Sequence, residues 1–429
     1  MIDQYDVIVI GGGPGGATAA TLVAQHGHRV LLLERSAEPR FKIGESLMPA
    51  TWWTFERLGM IPKLKASHFV PKYSVQFYGR SGRGSAPFYF QETNPHESSV
   101  TWQVVRSEFD ALMLDNAREH GVDVRRGAAV KDVLFDGERA VGVRASFPQE
   151  GAREIHCKVV VDATGRSAFL GRKLGLMRPD RELRKAAIFS HFEGALRDPG
   201  IDEGATLVLY TGGTVDENAW FWYIPLPEDK VSVGVVGSVE SLITNRPGDP
   251  QKVFDEEVAR CPEAQRRLAC ARQTFPVQVL NDFSYRSSRI AGDGWVLVGD
   301  AFGFLDPIYS SGVLLALTSG EQAADSIHAA LVAGDVSAAR LGAHGPRFLA
   351  GMEAMRKLVY AFYEKDFSFA KFLRRFPEQR IELIHLLVGN VFRPSDELFA
   401  TMGQMARLPE EVYLETGSDE PVEAAVEGR

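Results

Sequence analysis

Cysteine is scarce in this chain: among 429 residues there are three, Cys157, Cys261 and Cys270, with no CxxC and no metal-ligand spacing between them. That excludes a disulfide framework and a cysteine-built metal centre, and it fits free thiols in a reducing compartment. A basic excess is missing too. Lys and Arg number 48 against 56 Asp and Glu, a formal net charge of -8, which argues against a nucleic-acid surface. The closing segment "ETGSDEPVEAAVEGR" is acidic and carries no apolar pattern, so 415–429 is expected to be a flexible tail. No apolar run approaches the ~20 residues a membrane helix needs, so no membrane span is expected. No basic region precedes the first apolar strand, so no signal peptide and a cytoplasmic location are expected. There is neither an internal repeat nor a low-complexity linker. What remains, 45% hydrophobic and 24% charged, is the composition of a soluble globular protein with room for more than one domain.

The N-terminal "YDVIVIGGGPGGATAATLVAQHGHRVLLLER" has the pattern of strand, glycine turn, Ala-rich helix and second strand, one βαβ unit. Gly11, Gly13 and Gly16 form GxGxxG, with Pro14 and Gly15 inside it, at the place where backbone N–H groups and a helix N-terminus can cradle a pyrophosphate. Glu34 follows about 20 residues on at the tip of the second strand, where a carboxylate can accept from ribose hydroxyls, with Arg35 beside it. A glycine turn serving only helix–strand packing is the plainer alternative. His26 and His28 bracket Gly27 at the helix end, which suits capping, and with no further ligands in reach no metal is expected.

Further along, "VDVRRGAAVKDVLFDGERAVGVRASF" predicts short strands turning at "DGE", and "CKVVVDATGRSA" another strand ending in an acidic glycine turn at Asp162. Between about Arg181 and Asn281 alternating strands take over, including "ATLVLYTG" and "WFWYIPL". Then "GWVLVGDAFGF" returns to a buried strand with Asp300 at its glycine turn, and helices dominate after Gly312. These patterns predict an α/β (α+β) fold. A discontinuous Rossmann-like cofactor domain is expected over 1–78, 101–180 and 281–345, and an inserted antiparallel-sheet substrate domain over 79–100 and 181–280. A C-terminal helical region is expected over 346–414. The aromatic-rich "LVYAFYEKDFSFAKFL" within it suits either a core helix or the lining of a substrate mouth.

In the strand "WFWYIP", Trp220, Trp222 and Ile224 fall on one face and Phe221 and Tyr223 on the other, so both faces must be covered. Alone, this is a packed core strand. In company it says more. The N-terminal fingerprint, the GD turn at Asp300 and Arg106 in "VVRSEFDALM" resemble the FAD-binding pattern of glutathione-reductase-type and aromatic-hydroxylase-type flavoproteins; Arg106 by itself is equally a surface helix start. The strand WxWxIP and "FLDPIYSSG", with Phe304, Pro307, Ser310 and Gly312 in F-x-x-P-x-x-S-x-G, resemble the FAD-dependent halogenases. "FKIGESLMP" resembles the segment after the second strand in the halogenases that act on phenols, pyrroles and carrier-tethered acyl groups, and Lys72 in "HFVPKYSVQFY" stands where that family has its essential lysine. Geranylgeranyl-reductase-like flavoproteins share an aromatic-x-Trp-x-(Phe/Ile)-Pro strand; Lys72 and "GESLMP" separate the two.

The resemblance implies that FAD, reduced to FADH2 during turnover, is held by the glycine fingerprint, Glu34, Arg35, Glu45, Ser46, Arg106, Asp300, Pro307, Gly312 and Val313. It implies oxygen and a halide ion, chloride or bromide, as co-substrates, the halide on the backbone N–H groups of Ser311 and Gly312. Catalysis falls to Lys72, Ser310, Trp220 and Trp222: hypohalous acid made at the flavin reaches Lys72 through a passage walled by the two tryptophans. Lys72 acts either as an ammonium that polarises hypohalous acid or as an amine that forms a haloamine, and the sequence leaves that open, together with the plain alternative of a solvated lysine beside Lys63 and Lys65. Tryptophan halogenases carry a glutamate just before the serine of the S-x-G turn, whereas Tyr309 stands there in this chain. An electron-rich phenolic or pyrrolic substrate, free or tethered to an acyl or peptidyl carrier protein, is therefore expected rather than free tryptophan. No second GxGxxG follows a strand, so the reductant is expected from a separate NAD(P)H-flavin reductase. An FAD-dependent monooxygenase or hydroxylase, a geranylgeranyl-reductase-like enzyme, and a non-catalytic flavin-binding protein are the rival readings.

Overall fold

The computed structural model describes residues 4–38, 41–92, 94–211 and 219–415. The expected flexible tail thus lies outside the described residues except for Glu415. The N-terminal strand Gln4–Ile10 is buried from Val7 to Ile10 and is flanked on both sides by parallel neighbours, Gly151–Asp162 and Val30–Glu34. A strand so placed has no solvent face, which is why "VIVI" is a continuous apolar run. Val30–Glu34 pairs onward with Asp123–Arg126, and Gly151–Asp162 with Trp295–Leu297, both in parallel. The strand ending in "CKVVVD" starts earlier than the sequence suggested. Its first half, alternately exposed and half-buried, pairs antiparallel with Arg139–Phe147, so only "VVVD" shows the continuous burial that marks a central strand in sequence. The hairpin partner of Arg139–Phe147 is Ala129–Asp136, turning at Gly137 in "DGE".

Three helices cover this sheet's neighbourhood: Pro14–Gln25, Arg106–Glu119 and the 23-residue Ser311–Ala333. The second large sheet runs in the order Arg272–Gln273, Lys185–Glu193, Lys230–Ser238, Trp220–Pro225, Thr206–Tyr210, Ser74–Tyr78, Phe88–Tyr89. It is antiparallel except where Thr206–Tyr210 runs parallel to Ser74–Tyr78. Segments from 74–89 and from 185–281 therefore share one sheet.

That sheet is covered on both faces, and its strands alternate accordingly. Leu207, Leu209, Phe221, Tyr223, Val231, Val233 and Val235 point to one side, where Val253, Phe254 and Ala264 of the helices Pro250–Arg260 and Pro262–Leu268 meet them. Val208, Trp220, Trp222, Ile224, Ala187, Phe189 and Val236 point to the other, toward Ile308 and the helix Gly345–Tyr363 through Val359 and Phe362. The "LVYAFY" part of the aromatic-rich segment thus packs directly against the Trp-x-Trp face.

Candidate functional site

The site begins at the first glycine turn. Gly11 has φ +108, and a Cβ there would lie 2.3 Å from the carbonyl oxygen of Ala163, so only glycine lets the turn approach the neighbouring strand end. Gly13 is the N-cap of the helix Pro14–Gln25, with Pro14 at its first turn and Gly15 and Gly16 buried behind it. Glu34 faces this turn: one carboxylate oxygen accepts the Gly12 N–H at 2.8 Å and the other the Ser36 N–H at 2.8 Å. Burial raises its pKa, but those two N–H groups and Lys42 outweigh burial and hold Glu34 below the ordinary carboxylate range.

A cleft opens here, lined among others by Gly12, Glu34, Lys42, Asp110, Leu114 and Arg126. Arg126 Nε is buried with no hydrogen-bond partner among the described residues, a polar atom that a ligand in the cleft would satisfy. An open glycine turn at a helix N-terminus, an ionised carboxylate and an unsatisfied guanidinium fit the adenosine diphosphate half of a dinucleotide. Arg35 is exposed and does not line the cleft; Lys42 and Arg126 supply its positive charge. The pattern of the sequence gave no hint of either.

Arg106 opens its helix 7% exposed, its guanidinium forked onto Asp110 at 2.9 and 3.2 Å, with a third bond to the Ile43 carbonyl. Lys42 binds the same Asp110 at 3.0 Å. Gly44, at φ +103, closes over this group: a Cβ there would stand 2.7 Å from Arg106 Nη1 and 3.1 Å from Val313 Cγ2. The glycine of "GES" therefore joins Arg106 to the first turn of the helix Ser311–Ala333. Asp300 lies at the turn before that helix. Desolvation pushes its carboxyl up to about 6, while Arg106, Arg166 and Lys42 pull the other way. Asp162, the acid of the other glycine turn, has a structural place: it is fully buried and accepts the N–H groups of Thr164 and Leu170 at 2.9 and 2.7 Å.

In "DPIYSSG", the Ser310 N–H donates to the Pro307 carbonyl at 3.0 Å, and Ser310 itself adopts φ +57. This left-handed residue aims the chain into the helix, so the N–H groups of Ser311 and Gly312 fall in the first turn, where no preceding carbonyl of the helix can take them. Tyr309 donates its hydroxyl to the Leu358 carbonyl at 3.2 Å, and burial drives its pKa well above the usual phenol value. Asp306, 1% exposed, accepts the Ile308 N–H at 2.9 Å and the Tyr363 hydroxyl at 3.1 Å. The Tyr363 oxygen in turn accepts the Trp220 indole N–H at 3.0 Å. One chain of hydrogen bonds thus ties the Trp-x-Trp strand, the C-terminal helix and the Pro307 turn. Asp306 and Tyr363 lie inside the quoted segments "FLDPIYSSG" and "LVYAFYEKDFSFAKFL", but their link to Trp220 has no signature in the sequence.

Trp222 lies flat on its sheet. Its N–H donates to Ser232 Oγ at 3.1 Å, and its ring covers Gly234, where a Cβ would come within 2.3 Å of Cζ2. Phe189 stands beside it with ring centroids 5.7 Å apart.

Lys72 ends the short strand Val70–Lys72 and is 2% exposed. A solvated lysine is thereby excluded. Its amine donates to Ser46 Oγ at 2.9 Å and to the Leu47 carbonyl at 3.0 Å and sits 5.5 Å from the centre of the Phe90 ring. No carboxylate among the described residues pairs with it, and burial pushes its pKa down to about 7. Glu45 and Ser46, expected at the cofactor, have these partners among the described residues: Glu45 lies 2.7 Å from His191 Nε2, and Ser46 bridges Lys72 and Thr206. Gly44 and Ser46 are two residues apart, a span of about 7 Å in extended chain, so one short segment reaches from Arg106 and Val313 to the Lys72 amine.

Against known proteins, a family model described as "FAD binding domain" matches residues 4–342. The chain is 31% identical to the 1H-pyrrole-2-carbonyl-[peptidyl-carrier protein] chlorinase of Pseudomonas fluorescens, over 91% of this chain and 90% of the relative. It is 32% identical to the corresponding brominase of Pseudoalteromonas luteoviolacea, over 91% and 93%. The solved structure of the flavin-dependent brominase Bmp2 superposes with a TM-score of 0.84 at 31% identity, covering 94% of this chain and 98% of that one.

Proposed function

This chain belongs to the FAD-dependent halogenases, and on that premise we propose that it halogenates an electron-rich pyrrole or phenol ring, free or presented on a carrier protein, with Lys72 as the residue that hands over the halogen. Bound and reduced, FAD supplies the electrons with which oxygen is activated toward halide. The protein's own residues do the rest. Gly11, Gly13, Glu34 and Arg126 hold the adenosine diphosphate end, and Arg106, Asp300 and Val313 flank the segment toward the reacting end. The first-turn N–H groups of Ser311 and Gly312 hold chloride or bromide without a competing carboxylate. Trp220 and Trp222, pinned by Tyr363 and Ser232, wall the flavin side from the substrate.

The observation that carries the proposal is the Lys72 amine: buried, without a carboxylate partner, and lowered to about 7. That lowering makes the free amine, the form that takes halogen from hypohalous acid, far more accessible at neutral pH than in an ordinary lysine. The pyrrole or phenol reading is supported by the two carrier-protein relatives and by Tyr309, whose hydroxyl is committed to a backbone carbonyl where a ring-activating carboxylate would otherwise stand. Such rings bring their own electron density. A separate NAD(P)H-flavin reductase would supply the reduced cofactor and the cytoplasm would house the reaction; no helix of the described residues is long and apolar enough to cross a membrane.

The test supplies reduced FAD, oxygen and bromide or chloride to the protein with pyrrolyl thioester on a peptidyl carrier, free phenols and free tryptophan in parallel. Halogenated product is expected from the carrier-bound pyrrole or a phenol, and none with Lys72→Ala although flavin is still oxidised. Hydroxylated product, or full halogenation by Lys72→Ala, contradicts the proposal.

A further inference from the structure

Lys72 is held by a buried chain of polar side chains that starts at Ser46. Ser46 Oγ, which takes one Lys72 N–H at 2.9 Å, lies 2.8 Å from Thr206 Oγ1. Thr206 Oγ1 accepts a Gln103 amide N–H at 2.9 Å, and the same amide donates to the Gly204 carbonyl at 2.9 Å. All four side chains are buried: Lys72 2%, Ser46 3%, Thr206 5% and Gln103 0% exposed. Gln103, on the strand Thr101–Gln103 that pairs with Val70–Lys72, is held through its amide nitrogen by Gly204 and Thr206, which fixes the far end of the chain of hydroxyls that leads to the amine.

We propose that Ser46, locked by Thr206 and Gln103, is a positioning residue that keeps the Lys72 amine aimed for halogen transfer. A neutral amine has two N–H bonds and one lone pair. Ser46 Oγ and the Leu47 carbonyl take the two N–H bonds, so the geometry leaves the lone pair as the free direction and fixes where it points. With hypohalous acid arriving, the nitrogen lone pair forms the N–Cl bond, the O–Cl bond breaks, and the departing hydroxide takes a proton from nitrogen to leave as water; the ring later takes the halogen and returns its proton to restore the amine. A rotating amine would meet the oxidant in the wrong direction and let it escape. Burial is the one cause behind the lowered Lys72 pKa, and Glu45, the carboxylate next to Ser46 in the chain, is turned to His191 Nε2 at 2.7 Å rather than paired with the amine.

This rests on the halogen-transfer reading above, and the test separates the two. Reduced FAD, oxygen and chloride are supplied without substrate; small molecules are removed, and oxidising equivalents left on the protein are counted with iodide. Wild type is expected to retain about one equivalent. Thr206→Val should retain at least tenfold less while oxidising flavin at the wild-type rate and releasing the oxidant to solution, Ser46→Ala should retain at least tenfold less per flavin oxidised, and Thr206→Ser, which keeps the hydroxyl, should restore retention. Independently of turnover, an NMR titration of Lys72 Nζ in the oxidised holoprotein should show a lower midpoint in Ser46→Ala, because an oxygen that stabilises the ammonium is gone. Slowed flavin oxidation or weakened FAD binding in Ser46→Ala would make Ser46 a cofactor residue and overturn the proposal, as would full retention in both hydroxyl-deleting variants. A wild type that makes no oxidised halogen overturns it together with the function on which it depends.

Discussion

Lys72 carries a folding consequence as well as a chemical one. In the unfolded chain its pKa is that of an ordinary lysine, about 10.4, whereas in the fold it is near 7. Between those values the unfolded chain holds the proton and the folded one does not, so raising the pH favours folding, by about 1.4 kcal/mol per pH unit from this group alone. Below pH 7 both states are protonated and the full penalty of a buried ammonium remains. Lys72→Met removes both terms. Urea unfolding at pH 7 and pH 9 should show wild type gaining stability with pH, and Lys72→Met more stable at pH 7 with a flatter profile. An unchanged slope would mean that Lys72 is solvated. The sequence named this residue through its motif but could not show its state, because lysines are mostly exposed and its burial is made by Ser46, Thr206 and Gln103, which lie 26, 134 and 31 positions away.

At the scale of elements, the Trp-x-Trp strand works through its neighbours. Alternation told correctly which residues share a face, since period two is a property of any strand. It could not tell that Gly234, on the adjacent strand, is the flat place on which Trp222 lies, because that depends on register: Trp222 stands opposite Gly234. Gly234→Ala puts a Cβ 2.3 Å from the indole, and relief by displacing Trp222 should cost about 1–3 kcal/mol, as overpacked cores do. The change should appear as a shift in tryptophan fluorescence, a lowered denaturation midpoint and more oxidant lost to solution per flavin oxidised. Unaltered fluorescence and coupling would show that the tryptophan's position does not matter. The Trp220–Tyr363–Asp306 chain was equally illegible, its members being 57 to 143 residues apart.

Across the whole molecule, what the sequence made legible is what local pattern encodes: the first βαβ unit, the acidic glycine turns, the strand-rich middle and the helical end. Contacts that cross between segments were hidden, and the site is made of them. Gly44 rests on Arg106 and Val313, Ser46 on Lys72 and Thr206, Trp220 on Tyr363. The cleft at Glu34, the Pro307 turn and the buried amine thus lie along one continuous path of contacts. The direct measurement is halide-dependent oxidant formation. The bound FAD is reduced without air, mixed with oxygen in the presence or absence of bromide, and the oxidised flavin, hydrogen peroxide and trapped oxidised bromine are quantified. About one equivalent of oxidised bromine per flavin, replacing hydrogen peroxide, is the predicted result; hydrogen peroxide alone, in the same amount with and without bromide, would contradict a halogenase.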